Sequence, residues 1–147
     1  MTILTQPQMP ITDMLCFALY SATHAMQAAY KPLLEKLGLT YPQYLVLVSL
    51  WGEDNQTVGK LGAALHLESN TLTPLLKRMA AAGHITRQRD EIDERQVRIR
   101  LAAKGHALQA QSKPITDCII GQTGLNMPEI VDLQARIISL RDHLRQP

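Results

Sequence analysis

Residues 58–101, VGKLGAALHLESNTLTPLLKRMAAAGHITRQRDEIDERQVRIRL, change their hydrophobic period once, and that change decides the fold. Val58, Leu61 and Leu65 recur at helical spacing, and Leu72, Leu75, Leu76 and Met79 do so again up to Gly83. The junction His66-Leu67-Glu68-Ser69-Asn70 leaves room only for a tight turn between these two short helices. Pro74 is tolerated in the second helix, because a cap at Asn70 or Thr71 places it where it costs at most one intrahelical bond. From Val97 the period drops to two: Val97, Ile99 and Leu101 alternate with Arg98 and Arg100. Residues 84–89 supply the partner strand and residues 90–95 a charged tip. Helix, tight turn, helix and hairpin in that order predict a mainly α chain with a small β-hairpin wing, a winged helix-turn-helix.

Upstream, the first ten residues read as a loose arm. Thr12 as cap and Asp13 in the first turn predict a helix start. Leu15, Leu19, Ala22, Met26, Tyr30, Leu33 and Leu37 then recur at helical steps until Gly38. Thr40 caps a second helix with Pro42 in its first turn, running to about Trp51. Downstream, helix resumes at Ala102, Pro114 interrupts and kinks it, and Gly121 and Gly124 end it. Asn126 or Met127-Pro128 starts a last helix whose Ile130, Leu133, Ile137, Leu140 and Leu144 form a seam for another helix. The expected organisation is a single subunit over 1–147. Residues 56–101 form its DNA-binding region, and 12–51 and 102–146 its dimerisation helices.

The chain has 147 residues, 46% of them hydrophobic and 19% charged, which excludes disorder and low-complexity scaffolding. Two cysteines, Cys16 and Cys118, are too few for a disulfide-stapled scaffold or an all-cysteine zinc site. His24, His66, His84, His106 and His143 show no metal-ligand spacing, and no phosphate loop appears, so no metal or cofactor is expected. The N-terminus carries no targeting pattern, and the longest apolar run, residues 45–51, is too short to span a bilayer. The expectation is a cytoplasmic protein with no membrane partner.

Residues 77–104 hold eight basic side chains against four acidic ones, whereas the rest of the chain holds seven against nine. A charge run is usually a solvated face. Here it coincides with the second short helix and the hairpin, the parts of a winged helix that face a duplex. Ser69, Asn70, Thr71 and Thr73 stand where base edges are read, with Lys77 and Arg78 a turn further on for phosphates or bases. Arg95 at the hairpin tip is placed for the minor groove, and Asp93, two residues earlier, for orienting it. One short helix reads few bases, so a homodimer on a palindromic double-stranded operator is expected.

Cys16 falls about four residues into the first helix. Helix starts favour anions, and the thiolate is the form that attacks peroxides. The alternative is a small buried core residue. Four of the six aromatic residues are tyrosines. Tyr30 is four turns from Cys16 on the same helix, out of reach within one chain but within reach across an antiparallel helix pair in a dimer. Phenol hydrogen bonds stabilise a thiolate. The alternative is ordinary packing with wet hydroxyls.

The block Leu15-Cys16-Phe17-Ala18-Leu19-Tyr20, with Tyr30-Lys31-Pro32-Leu33-Leu34 and LGLTYPQYLVL at 37–47, resembles the organic hydroperoxide sensor (OhrR) branch of the MarR family. TLTPLLKRM at 71–79 is similar to that branch's recognition helix, and Asp93-Glu94-Arg95 to the wing motif of MarR proteins generally. The resemblance covers roughly residues 12–120. It implies a dimeric repressor, not an enzyme, induced by organic hydroperoxides. It makes Cys16 the peroxidatic cysteine, with Tyr30 and Tyr41 as phenols that hydrogen-bond it from the partner subunit. By the same resemblance Cys118 resolves the sulfenic acid as an intersubunit disulfide, the alternative being a small-molecule thiol that caps Cys16. A bridge needs Cα atoms within about 7 Å, and a movement to reach that would turn the winged domains off their half-sites. The rival readings are a MarR-type repressor released by a small phenolic or lipophilic ligand, and a thiol peroxidase, for which a helix-turn-helix has no use.

Overall fold

Side-chain caps set several of the helix starts. Thr40 Oγ1 accepts from the Gln43 N–H while Gln43 Oε1 accepts from the Thr40 N–H, and this reciprocal pair opens α2 (Tyr41–Gly52) with Pro42 in its first turn. Asn126 and Glu129 do the same for α7 (Met127–Leu144). Thr57 Oγ1 accepts from the Lys60 N–H and opens α3 (Val58–Leu65). These come from a computed structural model that describes residues 8–147. The loose arm expected at the N-terminus lies largely outside the described residues.

Two starts differ from the sequence expectation. Thr12 does not cap α1 (Leu15–Glu35). Ile11–Asp13 close a separate 3-10 turn, and Met14 is the extended residue before the helix, with no side-chain cap bond. Cys16 is therefore the second residue of α1, not the fourth or so. Likewise α4 (Ser69–Ala81) opens after extended Glu68, earlier than a cap at Asn70 or Thr71 would allow. Pro74 then falls at the sixth helical position and leaves the Asn70 carbonyl without its intrahelical donor. The helix continues because Leu72, Leu75, Leu76 and Met79 are all buried on its inner face.

The wing is β2 (Ile85–Arg89) antiparallel to β3 (Val97–Leu101), with Ile85 opposite Leu101 and Arg87 opposite Ile99; His84, expected to begin the strand, lies just before it. A third strand, β1 (Gln56–Thr57), pairs with β3 and makes the order β1-β3-β2. Two residues offer no period to read, so sequence reasoning missed it. Between α3 and α4, His66 takes the left-handed conformation at φ 56° and turns the chain in three residues. The core joins Val46, Leu47 and Leu50 of α2 to Leu61, Leu72, Leu76, Met79, Ile85 and Ile99, all essentially inaccessible to solvent.

After the wing come α5 (Ala103–Ala107), a 3-10 turn at Leu108–Gln111 and α6 (Ser112–Gln122). The expected kink at Pro114 is displaced into the preceding turn. Proline offers no N–H to the Ala110 carbonyl, and its ring crowds that carbonyl. Gly121 lies within α6, and Gly124, at φ 72°, turns the chain beyond it. The chain divides into two compact units, Met1–Ser112, described from residue 8 onward, and Lys113–Pro147. Leu34 alone is fully buried on α1, and no residue of α7 is. Part of each apolar stripe is therefore exposed in a single chain: Leu15, Ala22 and Met26 on the first helix, and Leu133, Ile137 and Leu144 on the last.

Asp90 holds the hairpin tip. Its Oδ1 accepts from the N–H groups of Ile92 and Asp93, and its Oδ2 from Arg98 Nε. The Asp93 backbone bond, then Arg98 and the Ile92 N–H, hold its carboxyl down at about 2. A lowered carboxylate stabilises the fold above its unfolded pKa near 3.8, and that stabilisation is lost as pH falls towards 2. Asp90→Ala is therefore expected to lower the melting temperature at neutral pH, with the gap to wild type closing between about pH 4 and pH 2. Paired thermal melts check this, and a gap that persists at the lowest pH contradicts it.

Candidate nucleic-acid interface and redox site

The inner face of α4 is spent on the core, so its outer face carries the polar residues. Ser69, Thr73 and Lys77 follow at four-residue steps along one side. Ser69, Asn70 and Thr71 occupy the first turn and are exposed, Thr73 is half-buried, and Lys77 and Arg78 are exposed. Every residue that the sequence reading assigned to this helix lies at its open N-terminal half or on its outer face. At the hairpin tip the Asp93 carboxylate takes Arg95 Nε at 3.0 Å and Arg95 Nη2 at 3.2 Å, and also accepts from the Arg95 N–H. The Arg95 side chain remains 90% exposed. Hydrogen bonds from Arg95 hold the Asp93 carboxyl below its usual range. The guanidinium is thereby fixed in direction while its outer edge stays open.

Cys16 and Cys118 are both free thiols and both exposed. Within the single chain Cys16 lies outside the core. It stands in the first turn of α1, where backbone N–H groups lack intrahelical acceptors. Cys118 lies on α6, and Gln122 Nε2 donates to its Sγ at 3.4 Å. Tyr30 of α1 and Tyr41 of α2 meet with ring centroids 5.0 Å apart. Sequence reasoning missed a third member: the Tyr44 ring lies 6.0 Å from that of Tyr30 and its hydroxyl 3.3 Å from Ser112 Oγ. The spacing Tyr41-x-x-Tyr44 on one helix face was the signal for it.

Burial, and then neighbouring tyrosines, raise the pKa of Tyr30 and of Tyr41, so both phenols stay protonated hydrogen-bond donors. Cys16 and Tyr30 are 14 residues apart on one helix, about 21 Å along its axis. The structure thus brings the two phenols together but leaves Cys16 of the same chain away from them. Among the described residues no group of His, Cys, Asp and Glu is arranged to hold a metal ion.

The profile of the SarA/Rot transcriptional regulators matches residues 28–111, from the tyrosine-bearing end of α1 through the wing to the turn before α6. The chain belongs to this family of MarR-like winged-helix transcriptional regulators. It is 46% identical to the HTH-type transcriptional regulator TtmR of Methylorubrum extorquens, over 91% of this chain and 69% of that one. It is 43% identical to the organic hydroperoxide resistance transcriptional regulator of Bacillus subtilis, over 94% of each chain. Among solved structures, reduced AbfR bound to DNA matches with a TM-score of 0.76 and 34% identity, covering 92% of this chain and 95% of that one. AbfR with its disulfide formed matches at 0.63 and the same identity, over 92% and 90%.

The outer face of α4 and the wing tip carry exposed polar and basic side chains, Ser69, Asn70, Thr71, Lys77, Arg78 and Arg95. Cys16 lies outside the stretch matched by the family profile. The profile covers the winged domain with α2 and the end of α1, and the two relatives extend the likeness over 91% and 94% of the chain.

Proposed function

We propose that this chain is a redox-switched repressor, a cytoplasmic homodimer that binds a palindromic operator when reduced and leaves it when an organic hydroperoxide oxidises Cys16. The observation that carries this reading is Cys16 itself: an exposed thiol in the first turn of α1, in a chain 43% identical over 94% of its length to a hydroperoxide resistance regulator. The outward-facing apolar residues of α1 and α7, among them Leu15, Met26, Val131, Leu133 and Ile137, suit burial against a second subunit. Such a dimer carries the protonated phenols of the partner subunit's Tyr30 and Tyr41 to Cys16.

The Cys16 thiolate attacks the terminal peroxide oxygen. An S–O bond forms, the O–O bond breaks, sulfur is oxidised by two electrons, and the alcohol leaves after taking up a proton. The thiolate of Cys118 from the other subunit then attacks the sulfenyl sulfur. The S–S bond forms, the S–O bond breaks, and hydroxide leaves as water after taking up a proton. Drawing α1 and α6 of opposite subunits together repositions the two wings and spoils the half-site spacing. Ser69, Asn70, Thr71 and Thr73 read base edges, Lys77 and Arg78 meet phosphate or base, and Arg95 enters the minor groove with Asp93 aiming it.

Fluorescence anisotropy on a duplex selected from a randomised pool tests this. Reduced protein is expected to bind, a stoichiometric amount of cumene hydroperoxide to release it, and dithiothreitol to restore binding. Binding that persists after oxidation contradicts the switch.

A further inference from the structure

Five arginines lie on the wing, and four of them have partners within the chain. Arg89 donates to the Glu94 carbonyl, Arg95 to Asp93, Arg98 to Asp90 and the Asn55 carbonyl, and Arg100 to Gln88 Oε1. Arg87 has no hydrogen bond or ion pair from its side chain among the described residues, and its Nε is buried without an acceptor.. A half-buried guanidinium left unpaired costs free energy, so its place needs a reason.

The register supplies one. Arg87 is two residues from buried Ile85 and directly opposite buried Ile99, so it continues the sheet face that packs on the helices. There the chain opens a cleft of about 320 Å³ lined by Arg87, Arg95, Gln96, Thr57, Ser69 and Thr73. The first turn of α3, at Val58 and Gly59, borders it too, and N–H groups at that position have no intrahelical acceptor. Among the described residues no carboxylate lines the cleft. The unpaired Arg87 guanidinium, the open edge of Arg95, three hydroxyls and first-turn backbone N–H groups form a receptor for a tetrahedral oxyanion.

The position of the cleft says which oxyanion. It lies between α4, assigned to the major groove, and Arg95, assigned to the adjacent minor groove. A strand of the duplex backbone separates those two grooves and must pass between the elements that enter them. We propose that the cleft seats a backbone phosphate of the bound duplex, with Arg87 its principal ligand. This rests on the DNA-binding reading above and adds to it a contact that carries no base information but fixes how deep helix and wing sit in their grooves.

Affinity is measured against salt concentration for wild type, Arg87→Gln and Arg87→Lys, on a mixed-sequence duplex and on a duplex selected from a randomised pool. Arg87→Gln is expected to weaken both by the same factor, about tenfold at moderate salt, and to lower the slope of log K against log salt by about one. Arg87→Lys is expected to regain the slope, which keeps the test decisive if the glutamine variant folds poorly. An unchanged slope in Arg87→Gln, where wild type binds, overturns the phosphate seat alone, as does a loss confined to the selected duplex, which would mark a base contact. Wild type that binds neither duplex overturns the DNA reading as well. A third arm adds inorganic phosphate at constant ionic strength. Stabilisation of wild type but not of Arg87→Gln, with the DNA slope unchanged between them, assigns the cleft to a free anion and overturns the proposal.

Discussion

Cys16→Ser is expected to hold its DNA through a dose of organic hydroperoxide that empties wild-type protein from the same duplex. The substitution changes one atom in the exposed first turn of α1. That position is remote in sequence from α4 and the wing, so DNA affinity in the reduced state is expected to match wild type. What is lost is the nucleophile, since a serine hydroxyl does not break an O–O bond, and without a sulfenic acid Cys118 has nothing to attack. Wild type is expected to lose on the order of a hundredfold in affinity on oxidation, a coupling in the usual allosteric range, and the variant to lose none. Anisotropy titrations before and after cumene hydroperoxide measure both numbers. Release of the variant would mean that a non-covalent ligand carries the signal.

The largest stability effect is expected from a glycine far from either thiol. Gly105 of α5 is buried, its carbonyl accepts from Trp51 Nε1 at 2.9 Å, and a Cβ built on it lands inside contact distance of the His84 carbonyl oxygen. That oxygen is backbone, already tied to the Ala102 N–H at 3.0 Å, so it has no rotamer to yield. Leu101 closes the other side. Gly105→Ala must push α5 away from the turn between α4 and β2 and break one or both of these hydrogen bonds. The expected cost is about 3 kcal/mol, seen as a fall of about 10 °C in melting temperature. Gly52→Ala, where a Cβ meets no atom within 4 Å, is the control and is expected to stay within about 1 kcal/mol of wild type. Equal melting of the two variants contradicts the packing at α5.

The winged domain was legible because its signals are local. The change of period at Val97, the caps Thr40 and Asn126, and the polar first turn at Ser69-Asn70-Thr71 each act within a few residues. Features made by distant residues were not legible. β1 is two residues long and exists because β3 offers a free edge to Gln56 and Thr57. Tyr44 joins Tyr30 and Tyr41 only once α1 and α2 pack. Arg87 looked like any other basic residue of the hairpin until its four neighbours proved to be paired. The start of α1 was misplaced because Met14, an ordinary residue with extended backbone, does what a cap at Thr12 was expected to do. The stripe on α1 pointed to an apolar contact without saying which chain supplies it.

In the proposed switch a peroxide signal received at Cys16 of one subunit is passed as a covalent bond to Cys118 of the other. Non-reducing gel electrophoresis after treatment of the reduced protein with cumene hydroperoxide tests it most directly. Wild type is expected to give a band of dimer mass that dithiothreitol removes and that neither Cys16→Ser nor Cys118→Ser forms. A dimer band that survives in Cys118→Ser, or wild-type protein that releases DNA on oxidation while running wholly as monomer, would contradict it.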